Sequence, residues 1–208
     1  MSAANNLNAL ILLDRSGSME SRWDEALGAV NAYVKELGKA NVTLATFDGV
    51  DGLKFDVLRS HVKAGSWRDV TSAEASPRGW TPLYDAFARI VALADAAARP
   101  KTVVIVMTDG EENASREVSR QDVQAMVERC KAKNWQVVFL GADFDAFAQA
   151  DQMSVPVART LNMKKGRYRA SFERLAKRSR EYADFDSSVS APLDIEFTDE
   201  DRDDAAGK

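Results

Sequence analysis

The sequence predicts one doubly wound α/β domain: a mostly parallel sheet with a single antiparallel edge strand and helices on both faces. Three observations predict it. Continuous apolar blocks at 10–13, 103–107 and 137–140 have the texture of parallel strands covered on both sides. Helical patterns alternate with these blocks, as in a β-α-β series. A length of 208 residues, 45% of them hydrophobic, supplies one sizeable core and is short for two.

In chain order, residues 10–13 open the sheet. Trp23, Leu27, Val30, Val34 and Leu37 then follow a 4-3-4-3 spacing, which predicts a helix from near Ser21 to Gly38. Residues 42–47 form the next strand, and "DGVDG" turns it back into an antiparallel partner. There Leu53, Phe55 and Val57 alternate with Lys54 and Asp56, the pattern of a half-exposed edge. Leu83, Phe87, Ile90 and Ala94 mark a second helix that ends before Pro100. After the strand at 103–107, Val123, Met126, Val127 and Cys130 form a third helical face, opened by Ser119 with Asp122 three residues on, a capping-box pattern. The strand at 137–140 follows. Tyr168, Phe172 and Leu175 make a fourth face.

These elements divide the chain into a domain over 1–160, a C-terminal helix over 161–183 docked on it, and an acidic tail over 184–208. Residues 164–180 carry eight Lys and Arg against one Glu, which reads as a helix with a basic outer surface; nucleic-acid contact is the alternative reading. Residues 194–204 carry seven acids and one Arg, a composition too polar to bury a core and expected to be disordered.

Composition excludes several function classes. The strand-like apolar runs last about five residues against the roughly 20 that span a bilayer, and "MSAANNLN" lacks a charged region before an apolar one. Cys130, the one cysteine, has no internal disulfide partner, and a net charge of -4 disfavours a nucleic-acid-binding body. A cytoplasmic protein without a membrane anchor is expected. His61, the one histidine, falls after the edge strand and reads as a surface residue rather than a catalyst.

Ligands of doubly wound sheets bind at the carboxyl ends of strands, where the strand order reverses. Asp14, Ser16 and Ser18 follow the first strand at two-residue spacing, and Thr108, Asp109 and Gly110 end the strand at 103–107. Between them "RGWTPLYDA" puts Thr81 and Pro82 at a helix start. Each group has an ordinary reading as turn or cap; Thr81 followed by proline makes a good N-cap. If the first strand and the 103–107 strand are neighbours, all three loops converge.

Together, Asp14-x-Ser16-x-Ser18, Thr81 in Gly-x-Thr-Pro-Leu, and Thr108-Asp109-Gly110 resemble the metal-ion-dependent adhesion site of von Willebrand factor A domains. The resemblance covers roughly residues 7–160 and is nearest to compact bacterial and phage members, which often read "TPLYDA" and "TDGEEN". It implies a six-stranded sheet and a bound Mg²⁺ or Mn²⁺. It implies that Ser16 and Ser18 ligate directly, Asp14 and Asp109 mainly through water, and Thr81 in the engaged state. The ion's open position then takes a carboxylate from a protein partner, an AAA+ ATPase, a signalling complex, or a phage or stress-response assembly. Neutral hydroxyl ligands suit such a recognition role, because they leave the ion's charge for a partner to complete. No enzymatic turnover is expected.

Trp80, where many members have a small residue, either packs on the domain or stands at the rim as a partner anchor. Glu111 and Glu112 read as solvated residues whose charge favours cation capture, Glu111 belonging with Trp80 to the partner-binding rim. The acidic tail raises a further possibility, that it folds back to offer the ion its own carboxylate. A rival reading is an Mg²⁺-dependent phosphohydrolase of the haloacid-dehalogenase type, which also carries an aspartate after its first strand. That chemistry needs a second acid two positions on, where this chain has Ser16. Neither GxGxxG nor GxxxxGK[ST] occurs.

Overall fold

A computed structural model describes residues 7–185 and 193–208. One sheet runs in the order β3-β2-β1-β4-β5-β6. Its strands are β1 (Leu7–Asp14), β2 (Ala40–Gly49), β3 (Leu53–Lys63), β4 (Thr102–Thr108), β5 (Gln136–Ala142) and β6 (Thr160–Met163). All neighbours are parallel except β2 and β3, the predicted hairpin. Its turn carries Asp51 and Gly52 at φ 55° and 93°, the left-handed pair that tight hairpins require. As the alternation predicts, β3 is half-exposed, while β1, β4 and β5 are buried throughout.

Helices α1 (Trp23–Glu36) and α5 (Tyr168–Asp184) cover one face; α2 (Leu83–Ala97), α3 (Arg120–Ala132) and α4 (Ala146–Gln152) cover the other. The two-residue period of β1 decides which side chain meets which layer. Leu7, Ala9, Ile11 and Leu13 pack beneath α1 and α5, and Leu10 and Leu12 beneath α2 and α3. A 3-10 turn over Gly17–Arg22 precedes α1, so the α-helix proper begins two residues after Ser21. Ser119 and Asp122 form the predicted reciprocal cap of α3.

Helix α5 buries Tyr168, Phe172 and Leu175 completely, the residues its periodicity singles out. Phe172 meets Tyr33 of α1 edge-on at 5.9 Å between ring centres, and the Tyr33 hydroxyl lies 3.0 Å from Ser179 Oγ. The Glu25 carboxylate of α1 accepts from the backbone N–H groups of Gly166 (2.8 Å) and Tyr168 (3.1 Å), placing an anion at the N-terminus of α5.

The acidic segment corrects the expectation of disorder for the part of it that is described; residues 1–6 and 186–192 lie outside the described residues. Ile195 and Phe197 are buried, and Phe197 N–H donates to the Ala158 carbonyl (2.7 Å). Residues Asp199–Ala205 form a seven-residue helix, α6, capped reciprocally by Thr198 and Asp201. Composition misses this because the acids do not face water alone. Asp201 pairs with Arg174 (3.0 Å) and Arg178, and Asp204 with Arg174, so the basic face of α5 is the partner the acids answer. This arrangement also commits the tail's Asp201 and Asp204 to Arg174 and Arg178, against their folding back to offer a carboxylate to an ion. Among the described residues no helix is long and apolar enough to cross a membrane.

Candidate metal centre

The strand order reverses at β1, which has β2 on one side and β4 on the other, so the carboxyl ends of β1 and β4 form the switch point. Asp14 ends β1 and Asp109 follows β4 directly. The Asp14 carboxylate is fully buried and held by two donors: Ser16 N–H to Oδ1 (2.7 Å) and Thr108 Oγ1 to Oδ2 (2.6 Å). Thr108 Oγ1 in turn accepts from Gly110 N–H (3.1 Å). Asp14 therefore organises the loops from behind. The hydroxyls stand in front of it: Ser16 Oγ and Ser18 Oγ are 3.0 Å apart, and Ser18 Oγ donates to Asp109 Oδ1 (2.6 Å). With its proton committed to the carboxylate, Ser18 accepts from Ser16 and keeps a second lone pair for a cation.

Thr81 joins these groups through its loop. It is buried, and a Cβ built on Gly110 would stand 3.6 Å from Thr81 Oγ1. The loop reaches this position by crossing the end of the β2–β3 hairpin. Gly49 and Trp80 pair backbone to backbone, and at Gly79 (φ 70°) a side chain would come within 2.8 Å of Val50 and 3.0 Å of the Gly49 carbonyl carbon. All five predicted residues, Asp14, Ser16, Ser18, Thr81 and Asp109, are thus brought to one end of the sheet.

Two readings change and one pair of alternatives is decided. Thr81 is not the helix cap: α2 starts at Leu83 with Pro82 at the cap position and no side-chain cap bond. Its first turn is satisfied from the neighbouring loop, where Glu112 accepts from Tyr84 N–H (2.8 Å) and Ser115 Oγ from Asp85 N–H (3.1 Å). Glu112 is therefore a clamp rather than a solvated residue, and it also takes Ala114 N–H and Ser115 N–H. Trp80 does not pack on the domain: it is 68% exposed at the rim, and Glu111 beside the site is exposed as well.

Sequence reasoning missed the residues that hold the loops together. Asn113 braces Thr81, accepting from its N–H at 2.9 Å and donating its own N–H to the Thr81 carbonyl at 3.2 Å. Asp85, buried on α2, accepts from the backbone N–H groups of Arg116, Glu117 and Val118. The signal was present in "TPLYDA" and "TDGEEN", where a buried-side Asp and an Asn are needed only if the two loops touch.

Arg15 was also passed over. Its guanidinium is buried, donating Nε to Asp48 Oδ2 (2.6 Å) and Nη2 to Asp56 Oδ2 (2.5 Å), and so ties the loop after β1 to β2 and β3. Removing one member of a buried pair costs about 3–5 kcal/mol when the other charge is left uncompensated, and less here because Arg15 keeps Asp56. Asp48→Ala is expected to lower the urea midpoint accordingly; an unchanged midpoint would show the pair to be idle.

The electrostatics favour a cation. Burial pushes the Asp14 carboxyl up to about 7, with Thr108 and Ser16 partly offsetting it. Burial likewise raises Asp109 above the ordinary carboxylate range, opposed by Ser18 and Arg22. The donor set fits a hard divalent ion on one point of geometry: adjacent oxygens of an octahedron at about 2.1 Å lie about 3.0 Å apart, the Ser16–Ser18 separation. Among the described residues no three His, Cys, Asp or Glu side chains group as a metal site, so a cation here relies on hydroxyls. His61 is exposed on β3, and burial pushes the Cys130 thiol up to about 11, which makes it an inert packing group.

Comparison with known proteins agrees with this architecture. Residues 2–162 match the model of a family described as VWA domain containing CoxE-like protein. YwmD of Bacillus subtilis (strain 168) is 28% identical, over 73% of this chain and 75% of that protein. Among solved structures, proximal thread matrix protein 1 from the mussel byssus superposes with a TM-score of 0.62 at 15% identity over 85% of this chain; the chain spans about half of that protein's length, 47%. Manganese-loaded TRAP of Plasmodium vivax gives a TM-score of 0.56 at 18% identity, covering 80% of this chain and 72% of that one. None of this points to a haloacid-dehalogenase phosphohydrolase, and the position such chemistry needs as a second acid is held by the hydroxyl of Ser16.

Proposed function

This chain belongs to the family of VWA domain containing CoxE-like proteins, and on that premise we propose that it is a recognition module which binds Mg²⁺ or Mn²⁺ and, through the ion, an Asp or Glu carboxylate on a protein partner. The observation that carries the reading is the convergence of three hydroxyls and two shielded carboxylates at the sheet's switch point. Ser16, Ser18 and Thr81 would hold the ion, with Asp14 and Asp109 behind them. When bound, the ion supplies positive charge that neutral ligands leave uncompensated.

The chain's own residues do the rest. Asp14 fixes the backbone of the Ser16 loop, Asn113 fixes that of Thr81, and exposed Trp80 gives a rigid apolar surface beside the opening of the site. A carboxylate seated next to Trp80 would make a charge-assisted contact that is partly shielded from water. The reading is of binding without turnover, in the cytoplasm, with an AAA+ ATPase or a signalling complex as the class of partner.

Affinity capture from the source cell tests it. Capture is expected with Mg²⁺ or Mn²⁺, lost with chelator, and weakened at least about tenfold by Trp80→Ala, as for a central aromatic anchor. Thr81→Ala is expected to weaken the partner more than the metal. A partner held equally well in chelator would overturn the proposal.

A further inference from the structure

Arg22 closes the 3-10 turn that begins one residue after Ser16, and its side chain returns to the metal centre. Nη1 donates to Asp109 Oδ2 at 2.6 Å and to the Ala142 carbonyl at 3.2 Å, and Nη2 lies 3.6 Å from Asp143 Oδ2. The guanidinium thus spans the ends of β4 and β5. It shares Asp109 with Ser18, one on each carboxylate oxygen. Its Nε is buried and has no hydrogen-bond partner among the described residues, so the group is anchored through its outer nitrogens, toward the anions. Arg15 and Arg78, two further cations of these loops, are directed elsewhere, Arg15 to Asp48 and Asp56 and Arg78 to Asp48.

We propose that Arg22 is a built-in counter-cation that sets the divalent affinity of this site, holding Asp109 in place while competing with the ion for its charge. This inference rests on the metal reading above. Asp14 and Asp109 carry two negative charges when ionised, and the guanidinium cancels one. A divalent ion entering beside it therefore meets one negative charge instead of two on that pair; Asp14, Asp109, Arg22 and the ion together sum to one positive charge, with Asp143, 3.6 Å from Nη2, as a further anion beside the guanidinium. Weak ion capture and strong demand for an incoming anion are two results of one arrangement. The same contact lets Asp109 stay buried when no ion is bound, because it already has a cationic partner.

Calorimetric titration of the full chain with MgCl₂ and with MnCl₂ tests the inference against Arg22→Gln, which keeps an N–H donor but removes the charge. The neutral variant is expected to bind either ion about tenfold more tightly, while Arg22→Lys stays within about twofold of the original. Thermal melts add a second readout, whose chelator arm does not depend on affinity. In chelator, Arg22→Gln should melt below the original chain, and saturating Mg²⁺ should raise its melting temperature by more. Arg22→Met, which keeps the aliphatic stem, replaces Arg22→Gln should the latter not fold. Equal or weaker ion binding by the neutral variants, with binding intact in the original chain, overturns the role of Arg22 and leaves the metal reading standing. Absence of ion binding in every variant and in the original chain removes both.

Discussion

Ser16→Ala is expected to weaken Mg²⁺ and Mn²⁺ binding by about 100-fold or more while the chain stays folded. The Ser16 hydroxyl meets Ser18 Oγ and the Asp14 carboxylate, and an alanine fits the same space without it. What the substitution removes is one of the three hydroxyls proposed to hold the ion, and a hard ion replaces a lost oxygen ligand only with water. Asp14→Asn is expected to act almost as strongly from a different position. Its carboxylate touches Ser16 N–H and Thr108 Oγ1, so the amide would keep the packing, with the Thr108 hydroxyl turning to accept, but would take away the buried negative charge. Changes of this supporting kind typically cost about 10- to 100-fold in metal affinity.

Melting temperature supplies the second measurement. A ligand that binds only the folded state stabilises it by about 2.7 kcal/mol at 100 times its dissociation constant. Saturating Mg²⁺ should therefore raise the melting temperature of the original chain and leave that of Ser16→Ala unmoved. A folded Ser16→Ala chain that binds either ion with undiminished affinity would sink the assignment of the site.

The sheet and the site were legible for related reasons. Parallel strands buried on both faces must be apolar at every position, so 10–13, 103–107 and 137–140 announce themselves without alignment. The candidate site residues were legible because small oxygen-bearing residues at two-residue spacing project together from one loop, and because the switch point of a doubly wound sheet lies between its first and fourth strands. The supports of the site were not. Asn113, Asp85, Glu112 and Arg22 act across loops 28 to 87 positions apart in sequence, and a polar residue that braces a distant backbone looks the same in sequence as one facing water. The tail failed for the same reason on a larger scale. Its acids were weighed as a local composition, whereas their partners Arg174 and Arg178 stand more than twenty residues earlier on α5.

That docking turns the C-terminal region into a graded stability experiment. A chain ending at 160 loses Tyr168, Phe172 and Leu175, each fully buried, and uncovers Tyr33 and Val34 of α1. At about 1.5–3 kcal/mol for each large side chain, taken as an upper estimate, the loss is comparable with the whole stability of a typical domain, so cooperative folding is not expected to survive. It also removes the Tyr168 hydroxyl that reaches Asp143 (3.4 Å), beside Arg22 at the metal centre. A chain ending at 186 keeps α5 and should fold, but it loses the burial of Ile195 and Phe197 and deprives buried Gln136 of its bonds to Asp194 and Ile195. A penalty of about 3–5 kcal/mol is expected, read as a lower urea midpoint. Acid should distinguish the salt-bridged part of that loss from the apolar part. Burial alone would push Asp201 up, yet hydrogen bonds from Thr198 and Arg174 and the charge of Arg178 hold it below its ordinary 3.8 in the folded chain. A depressed folded-state value means that the stabilisation is present above the unfolded value and is lost as pH falls through the folded one. The stability gap between the full chain and the chain ending at 186 should therefore narrow below about pH 4, leaving the contribution of Ile195 and Phe197. Equal urea midpoints for the two chains at neutral pH would show that residues 193–208 rest on the domain without stabilising it.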